Sequence, residues 1–297
     1  MLSRVVDWFR VTRLILNADD FGLTPGVNQS IIELHEAGAL SSATLMATSE
    51  EFNTATAAAT RHPGLGVGCH VVLVDGKPAL AQTEIPTLSL PSGDFSPSLG
   101  AFVRDLMRGR IREDEIEAET VAQIRRVQAA GVKVTHIDTH KHTHMFGRVL
   151  RPLLRAAQAC GVMAIRNPFE PDWAIGASAS APLARRWQVK VLRLSRTGFL
   201  RWVRGAGLTT TDGAVGVLAT GTLDAETLRR LLAAMPEGTW ELLCHPGYQD
   251  AALDTVRTRL RESRAIEHTA LLETIPAYVR THPEIQLMHF GELGMAR

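Results

Sequence analysis

The chain has 297 residues, 45% of them hydrophobic and 21% charged, so it is long enough to bury a large core. Its 32 basic and 31 acidic side chains leave a net charge of +1, which excludes the broad basic surface of a general nucleic-acid binder. Cys69, Cys160 and Cys244 lack metal-ligand spacing, and their odd number argues against a disulfide framework. With no secretory or membrane-spanning pattern either, we expect a cytoplasmic protein.

Short apolar runs alternate with amphipathic segments along the chain. The predicted strands are 14–16, 42–48, 65–69, 131–134, 162–166, 215–219, 240–244 and 285–290. The predicted helices are 28–37, 50–60, 99–107, 113–130, 148–160, 224–234 and 254–279. Because strands and helices follow one another in turn, the pattern predicts a parallel sheet with right-handed crossovers, either a barrel or an open sheet.

Polar side chains follow four of these runs, at the carboxyl end of each. They are Asp19 and Asp20, His70, Asp138 and His140, and His245. In a β/α barrel these ends meet at one mouth, where active sites lie. This convergence favours an α/β barrel of mostly parallel strands over an open sheet. We expect a single domain over residues 12–297, with an insert at about 167–212.

The segment 135–144 carries four of the eleven histidines on alternate residues, with Asp138 between them. These histidines are His136, His140, His142 and His144. In an extended chain, residues two apart share a face, so the segment predicts a face of imidazoles and a carboxylate. Such a face suits a metal, a proton transfer or a polar substrate. The alternative is a solvated histidine-rich loop.

Two neutral imidazoles and one carboxylate form a suitable site for a divalent cation such as Zn²⁺. If Asp20 binds the metal, Asp19 remains free to take a proton from water. Other interpretations stay open, since the two aspartates could cap a helix, His70 could be a buried structural histidine and His245 could be a turn residue.

Two further alternatives concern the class of protein. His136, Asp138 and His245 also fit the two-histidine, one-carboxylate site of non-haem iron oxygenases, although those enzymes usually have antiparallel β folds. A closed metal site on a non-enzymatic lipid-binding protein is another interpretation, and it leaves Asp19 without a role.

Four ordered motifs, at 17–22, 68–73, 138–146 and 244–247, resemble those of the YdjC-like carbohydrate deacetylases. The resemblance covers residues 14 to about 290. It implies a distorted TIM-like (β/α) barrel and removal of an N-acetyl group from an amino sugar with one divalent metal ion, zinc or magnesium.

The resemblance also implies roles for individual residues. The metal ligands would be Asp20, His70 and His140, with Asp19 as general base and His245 as general acid. Other residues are expected to contact substrate or orient the ligands: Asp138, His142, His144, Arg166 and Glu241. Glu241 lies four residues before His245, so it either tunes that histidine or is a surface acid.

Within the family, the chain most resembles the deacetylases associated with hopanoid biosynthesis. That resemblance implies an N-acetylglucosaminyl group on bacteriohopanetetrol as substrate, with soluble N-acetylated oligosaccharides as the alternative.

Residues 173–211 hold seven basic side chains and no acidic one. An apolar stripe runs through them, formed by Leu183, Trp187, Val191, Leu194 and Trp202. A basic helix with tryptophans predicts peripheral contact with a membrane surface. The alternative is an ordinary helix whose stripe packs on the barrel.

Overall fold

Seven parallel strands form one curled sheet in the computed structural model, which describes residues 11–178 and 183–294. They are β1 (Thr12–Phe21), β2 (Ser42–Leu45), β3 (Gly66–Val71), β4 (Ile137–Thr139), β5 (Gly213–Val215), β6 (Gly238–Cys244) and β7 (Ile285–Leu287). Their order is β4-β3-β2-β1-β6-β5, and β7 also pairs with β1. This half-barrel confirms the predicted α/β class and the distorted TIM-like barrel.

Helices follow most of the strands. They are α1 (Pro25–Glu36), α2 (Phe52–Arg61), α3 (Leu99–Met107), α4 (Glu113–Ala129), α5 (Gly147–Ala159), α6 (Asp172–Ala177), α7 (Leu183–Leu192), α8 (Arg196–Gly205), α9 (Ala225–Ala234), α10 (Ala251–Thr255) and α11 (Glu262–Thr281). Within 11–178 and 183–294, each helix is too short or too polar to cross a bilayer.

Strand β1 is the centre of the sheet. β6 pairs with one of its edges from Thr12 to Ala18, whereas the other edge is shared by β7 at its start and β2 at its end. Because sheet and helices cover it on both faces, Leu14, Ile15 and Leu16 have no exposed surface. A continuous apolar run is typical of such a buried parallel strand.

Several predicted strands are wrong or reduced. The run 215–219 shares only Val215 with β5, and the runs 42–48 and 285–290 are shortened to β2 and β7. Residues 131–134 form no strand, because the chain meets β3 only at Thr135, whose N–H donates to the carbonyl of Val67 (2.8 Å). The run 162–166 is reduced to single bridges, which join Ile165 to Ile137 and Ala164 to Thr209 in parallel.

The insert is helical, but its basic helix is not continuous. A 3-10 turn at Arg193–Ser195 separates α7 from α8. Phe199 and Val203 of α8 are buried. All five residues of the apolar stripe are between 47% and 83% exposed. The interpretation that the stripe packs on the barrel is therefore wrong.

A small apolar cluster fills the interior below the carboxyl ends of the strands. Ile15, Ala164, Met288 and Phe290 form it, and the ring of His136 stacks on Phe290 at 3.8 Å between centroids. Strand β3 passes close to this histidine, because a Cβ atom added at Gly68 would lie 2.4 Å from His136 Cε1. His136 is thus a structural residue of the sheet interior.

Gly68→Ala is expected to lower the free energy of unfolding by about 1–3 kcal/mol, since a methyl group would displace the stacked His136 ring. Urea unfolding measures this change. The control is Gly198→Ala in α8, where an added Cβ meets nothing within 4 Å. Because alanine favours a helix over glycine, we expect this variant to raise the free energy of unfolding by roughly 0.5–1 kcal/mol. Wild-type stability of Gly68→Ala would contradict the described contact.

Candidate active site

The two adjacent aspartates lie at a break in the register of β1. Pairing with β2 shifts between Ala18 and Phe21, and Asp20 has a left-handed backbone (φ 65°). Neighbouring side chains of a regular strand point to opposite faces, so both could not face one site without such a bulge. The interpretation of this pair as a helix cap is wrong, because Thr24 caps α1 by accepting from the N–H of Val27.

Asp20, His70 and His140 meet at one point, as the sequence predicted. Asp20 Oδ1 lies 3.7 Å from His70 Nε2 and 3.7 Å from His140 Nδ1, and the two imidazole nitrogens are 3.3 Å apart. Ligand atoms at about 2.1 Å from a tetrahedral zinc ion lie about 3.4 Å from one another. The donor set and its spacing therefore fit a divalent cation.

Neighbouring groups hold each ligand in place. His70 Nδ1 lies 2.8 Å from Asp138 Oδ1, which leaves Nε2 for the ion, and Asp20 Oδ2 accepts from Arg264 at 2.5 Å. A carboxylate on the far nitrogen is the usual support of a ligating histidine. Burial lowers the pKa of His140 to about 4, so this ligand is neutral at neutral pH.

The electrostatic environment of His70 favours a positive charge. Burial would lower its pKa, but the carboxylates of Asp138, Asp19 and Asp20 outweigh that effect and raise it to about 9. A cation bound there in place of this proton would meet the same compensating charges.

The prediction that the histidines share one face of an extended segment is wrong for the residues after Thr139. Strand β4 ends there, and His140–Met145 forms a 3-10 segment in which Lys141 and His142 have φ of 56° and 52°. Lys141 Nζ donates to Asp75 Oδ2 at 2.5 Å. The chain therefore turns at His140, and its later side chains leave the face of β4. The solvated-loop alternative is also wrong, because His144 is buried.

His142 and His144 remain close to the site without joining the metal ligands. Burial and the charge of Arg166 lower the pKa of His142 to about 3. His144 is fully buried, and its Nδ1 lies 2.7 Å from Thr139 Oγ1. His142 Nδ1 and His144 Nε2 lack hydrogen-bond partners among the residues that the structure describes. Burial therefore keeps both rings neutral at neutral pH.

Arg166 lies at the centre of the buried charges and has no exposed surface. Its terminal nitrogens donate to both oxygens of Asp19 (2.6 and 2.9 Å), and NH1 also contacts Asp138. Its Nε donates to Glu241 Oε1 at 2.7 Å. One guanidinium thus connects carboxylates of β1, β4 and β6. Glu241 is neither a surface acid nor a partner of His245.

These contacts set the ionisation of the carboxylates. Burial would raise the pKa of Asp19, but the charges of Arg166, His70 and His245 together with the hydrogen bonds from Arg166 outweigh it and hold this pKa well below the usual range. For Glu241, burial prevails over Arg166 and raises the pKa to about 7.

Asp19, His70 and Asp138 form a second cluster with metal-like spacing. Arg166 already supplies its cation, since it contacts both carboxylates directly. The first cluster has carboxylate oxygen Oδ1 of Asp20 facing two imidazole nitrogens. The geometry therefore favours the first cluster for a metal ion.

His245 follows β6 and borders the same site. Its Nε2 lies 3.8 Å from Asp19 Oδ2, and its Nδ1 has no hydrogen-bond partner within the described part of the chain. Its backbone N–H donates to Glu267 Oε2 at 2.6 Å. The backbone of His245 is thus held in place, while its ring borders the site.

The alternative of an iron site formed by His136, Asp138 and His245 is wrong, because the ring of His136 is stacked on Phe290 below the site.

Two site residues of α11 were missed by the sequence interpretation. Arg264 holds Asp20, and Glu267 holds the backbone of His245. Both are buried on the helix face that also buries Leu271 and Ile275. Because apolar residues of the same helix, Ile266 and Leu272, are exposed, its sequence shows no clear apolar face that could have identified them.

Comparisons with known proteins identify the family of the chain. The profile of the family described as YdjC-like protein matches residues 13–277. A carbohydrate deacetylase of Brevibacillus brevis is 32% identical over 283 residues, covering 95% of this chain and 100% of that protein. A carbohydrate deacetylase of Mus musculus is 33% identical over 250 residues, covering 81% and 79% of the two chains.

A solved structure from Enterococcus faecalis V583, assigned provisionally to cellobiose-phosphate cleavage, has the same architecture. Its TM-score is 0.75 at 26% identity, over 95% of this chain and 99% of that chain. Together with the profile match and the bacterial relative that is matched over its full length, this similarity shows that the chain belongs to the YdjC-like protein family.

Proposed function

We propose that this protein is a metal-dependent carbohydrate deacetylase, which hydrolyses the N-acetyl amide of an amino sugar to acetate and a free amine. The observation that carries the proposal is the triangle of Asp20, His70 and His140 beside the ionised carboxylate of Asp19. The relatives described as carbohydrate deacetylases support a sugar as the substrate class.

Asp20, His70 and His140 would hold one divalent ion, zinc or magnesium. Two imidazoles among three ligands suit zinc better than magnesium, which prefers oxygen. When bound, such an ion supplies Lewis-acid activation of the acetyl carbonyl and of the attacking water.

Asp19 accepts the proton of the attacking water as its oxygen bonds to the carbonyl carbon. Arg166 keeps this carboxylate ionised and fixes its orientation through two hydrogen bonds. The same contact makes Asp19 a weak base, because it lowers the pKa. Efficient proton transfer to Asp19 therefore requires that the pKa of the attacking water is lowered as well.

His245 gives a proton to the amine nitrogen as the C–N bond breaks, since an amine anion is too poor a leaving group. Its Nε2 lies 3.8 Å from Asp19 Oδ2, so the base and the acid border the same point of the site. Asp138 orients His70, His142 borders the substrate, and the fully buried His144 holds the turn after β4 through Thr139.

For the substrate itself, we propose an N-acetylglucosaminyl group carried on bacteriohopanetetrol. The exposed apolar stripe of α7 and α8 supports an amphiphilic substrate, because a soluble oligosaccharide needs no such surface. The soluble alternative is supported by the descriptions of the relatives, which name only carbohydrate.

We also propose that α7 and α8 contact the membrane surface peripherally. Basic side chains surround exposed Trp187 and Trp202, a combination typical of interfacial helices. Each base near an anionic surface contributes roughly 1 kcal/mol to binding.

Purified protein loaded with zinc is expected to release acetate from N-acetylglucosaminyl bacteriohopanetetrol faster than from N-acetylated chitooligosaccharides. A chelator should abolish release, and added metal should restore it, because the activation comes from the ion. Free acetate is measured enzymatically. Faster turnover of the soluble sugars would reject the lipid substrate, and no acetate from any N-acetylated sugar would reject the function.

Asp19→Asn is expected to keep the metal, because the three ligands are unchanged, and to lower kcat by about 10²–10⁴-fold, since it removes the proton acceptor and one oxygen that accepts from Arg166. His70→Ala should instead lose the metal, because it removes a ligand. Metal content by mass spectrometry and acetate release separate the two effects. Full turnover by Asp19→Asn is incompatible with the proposed role of this residue.

Combined substitution of Lys190, Arg201 and Arg204 by glutamine should weaken binding to vesicles containing phosphatidylglycerol by roughly a hundredfold. Turnover of soluble substrate should stay unchanged, because these side chains lie outside the site. The matched control replaces three exposed arginines elsewhere, Arg229, Arg257 and Arg280, by glutamine. Equal sedimentation of the wild type and both variants would exclude the membrane contact.

A further inference from the structure

A loop of residues 245–250 follows β6 and carries the proposed acid, His245. Pro246 comes directly after this histidine, and a residue before proline is restricted to extended backbone conformations. The buried Nδ1 atom of His245 has no hydrogen-bond partner among the described residues. The position of the ring therefore depends on how the backbone of the loop is held.

Helix α11 holds this loop from one side. The buried carboxylate of Glu267 accepts from the backbone N–H of His245 at 2.6 Å, and its other oxygen accepts from that of Gly221 at 3.3 Å. One turn earlier in the helix, the carbonyl of Arg264 accepts from the N–H of Gly247 at 3.2 Å. Both oxygens of Glu267 are thus used to hold backbone, one of them at the proposed acid itself.

Helix α1 holds the loop from the other side. The N–H of Tyr248 donates to the carbonyl of Gly26 at 3.1 Å. The space between the two helices is narrow, because a Cβ atom added at Gly247 would lie 3.0 Å from Val27 Cγ2 and 3.1 Å from Arg264 Cδ. The loop therefore has little room to shift between α1 and α11.

A chain of side-chain hydrogen bonds joins the two helices through Tyr248. Its hydroxyl donates to Glu33 Oε2 of α1 at 2.5 Å and lies 3.0 Å from His268 Nε2 of α11. His268 Nδ1 in turn lies 2.7 Å from Ser30 Oγ of α1. Ser30 and His268 are buried, so this chain connects helices and loop and is not itself a reaction site.

Proton donation to a leaving amine is sensitive to the position of the donor. When the C–N bond breaks, its electron pair goes to nitrogen, which must take a proton from an acid within hydrogen-bond reach. A displacement of about 1 Å can lower the rate of such a step by about 10²-fold. Residues that fix the loop therefore affect the chemistry without touching the substrate.

We propose that Glu267 and Tyr248 are positioning residues, which hold the loop so that the ring of His245 lies where it can protonate the leaving amine. The inference rests on the proposed deacetylase function and adds the residues that place its acid. Both act through the backbone of the loop, Glu267 at His245 and Tyr248 three residues later.

Glu267→Gln and Tyr248→Phe test this role in the zinc-loaded protein, on the N-acetylated sugar that the wild type hydrolyses. Glutamine has one acceptor oxygen in place of two, so one backbone N–H loses its partner and kcat should fall by about 10²-fold. Tyr248→Phe keeps the ring, removes only the hydroxyl and should lower kcat by roughly tenfold.

The matched control is Tyr278→Phe, which changes the only other tyrosine of the chain. This residue stacks on His282 near the opposite end of α11, so the variant should keep the wild-type kcat. If Glu267→Gln does not fold, the comparison of the two tyrosine variants decides.

Two readouts separate positioning from a general structural effect. The ratio of amide turnover to 4-nitrophenyl acetate turnover should fall by the same factors, because 4-nitrophenolate leaves without a proton, and zinc content should stay that of the wild type. In a His245→Gln background, Tyr248→Phe should cause no further loss of amide turnover, because the ring that it positions is absent. This double variant decides if the wild type does not cleave the ester.

Wild-type amide turnover by Glu267→Gln and Tyr248→Phe would overturn the inference. Equal losses for amide and ester, loss of zinc, or an additive loss in the double variant would overturn it as well. If the wild type releases no acetate from any N-acetylated sugar, the proposed function is rejected, and the inference with it.

Discussion

The buried contact between Arg166 and three carboxylates is the interaction on which the site depends. It connects Asp19 of β1, Asp138 of β4 and Glu241 of β6, so strands far apart in the sequence meet through one side chain. Removing one partner of a buried ion pair typically costs about 3–5 kcal/mol, because the other charge is left uncompensated. The cluster therefore fixes the curvature of the sheet where the candidate ligands lie.

The same contact separates the tasks of the two adjacent aspartates. Arg166 occupies the face between Asp19 and Asp138, so the proposed metal ion would bind at Asp20 and the two histidines beside it. Arg264 and Glu267 of α11 support this division from the opposite side, by holding Asp20 and the backbone of His245. A bulge in β1, one arginine and one helix thus contribute to placing the proposed base, metal ligands and acid around one point.

Much of this arrangement could be predicted from the sequence, because the spacing of apolar residues indicates the helices and strands, and polar residues at the strand ends indicate the site. The predicted bounds of α3 agree with the structure, and polar residues at strand ends meet as the parallel sheet requires. The histidine face was lost because two left-handed residues, Lys141 and His142, turn the chain, and a two-residue period does not reveal backbone φ. Arg264 and Glu267 were missed because their partners, Asp20 and the backbone of His245, lie more than twenty residues away in the sequence.

Anomalous X-ray diffraction from zinc-loaded crystals tests the central claim most directly. We predict one zinc peak at about 2.0–2.2 Å from Asp20 Oδ1, His70 Nε2 and His140 Nδ1, with Arg166 still bound to Asp19 and Asp138. A peak between Asp19, His70 and Asp138 with Arg166 displaced, or no peak near these residues, would contradict the account.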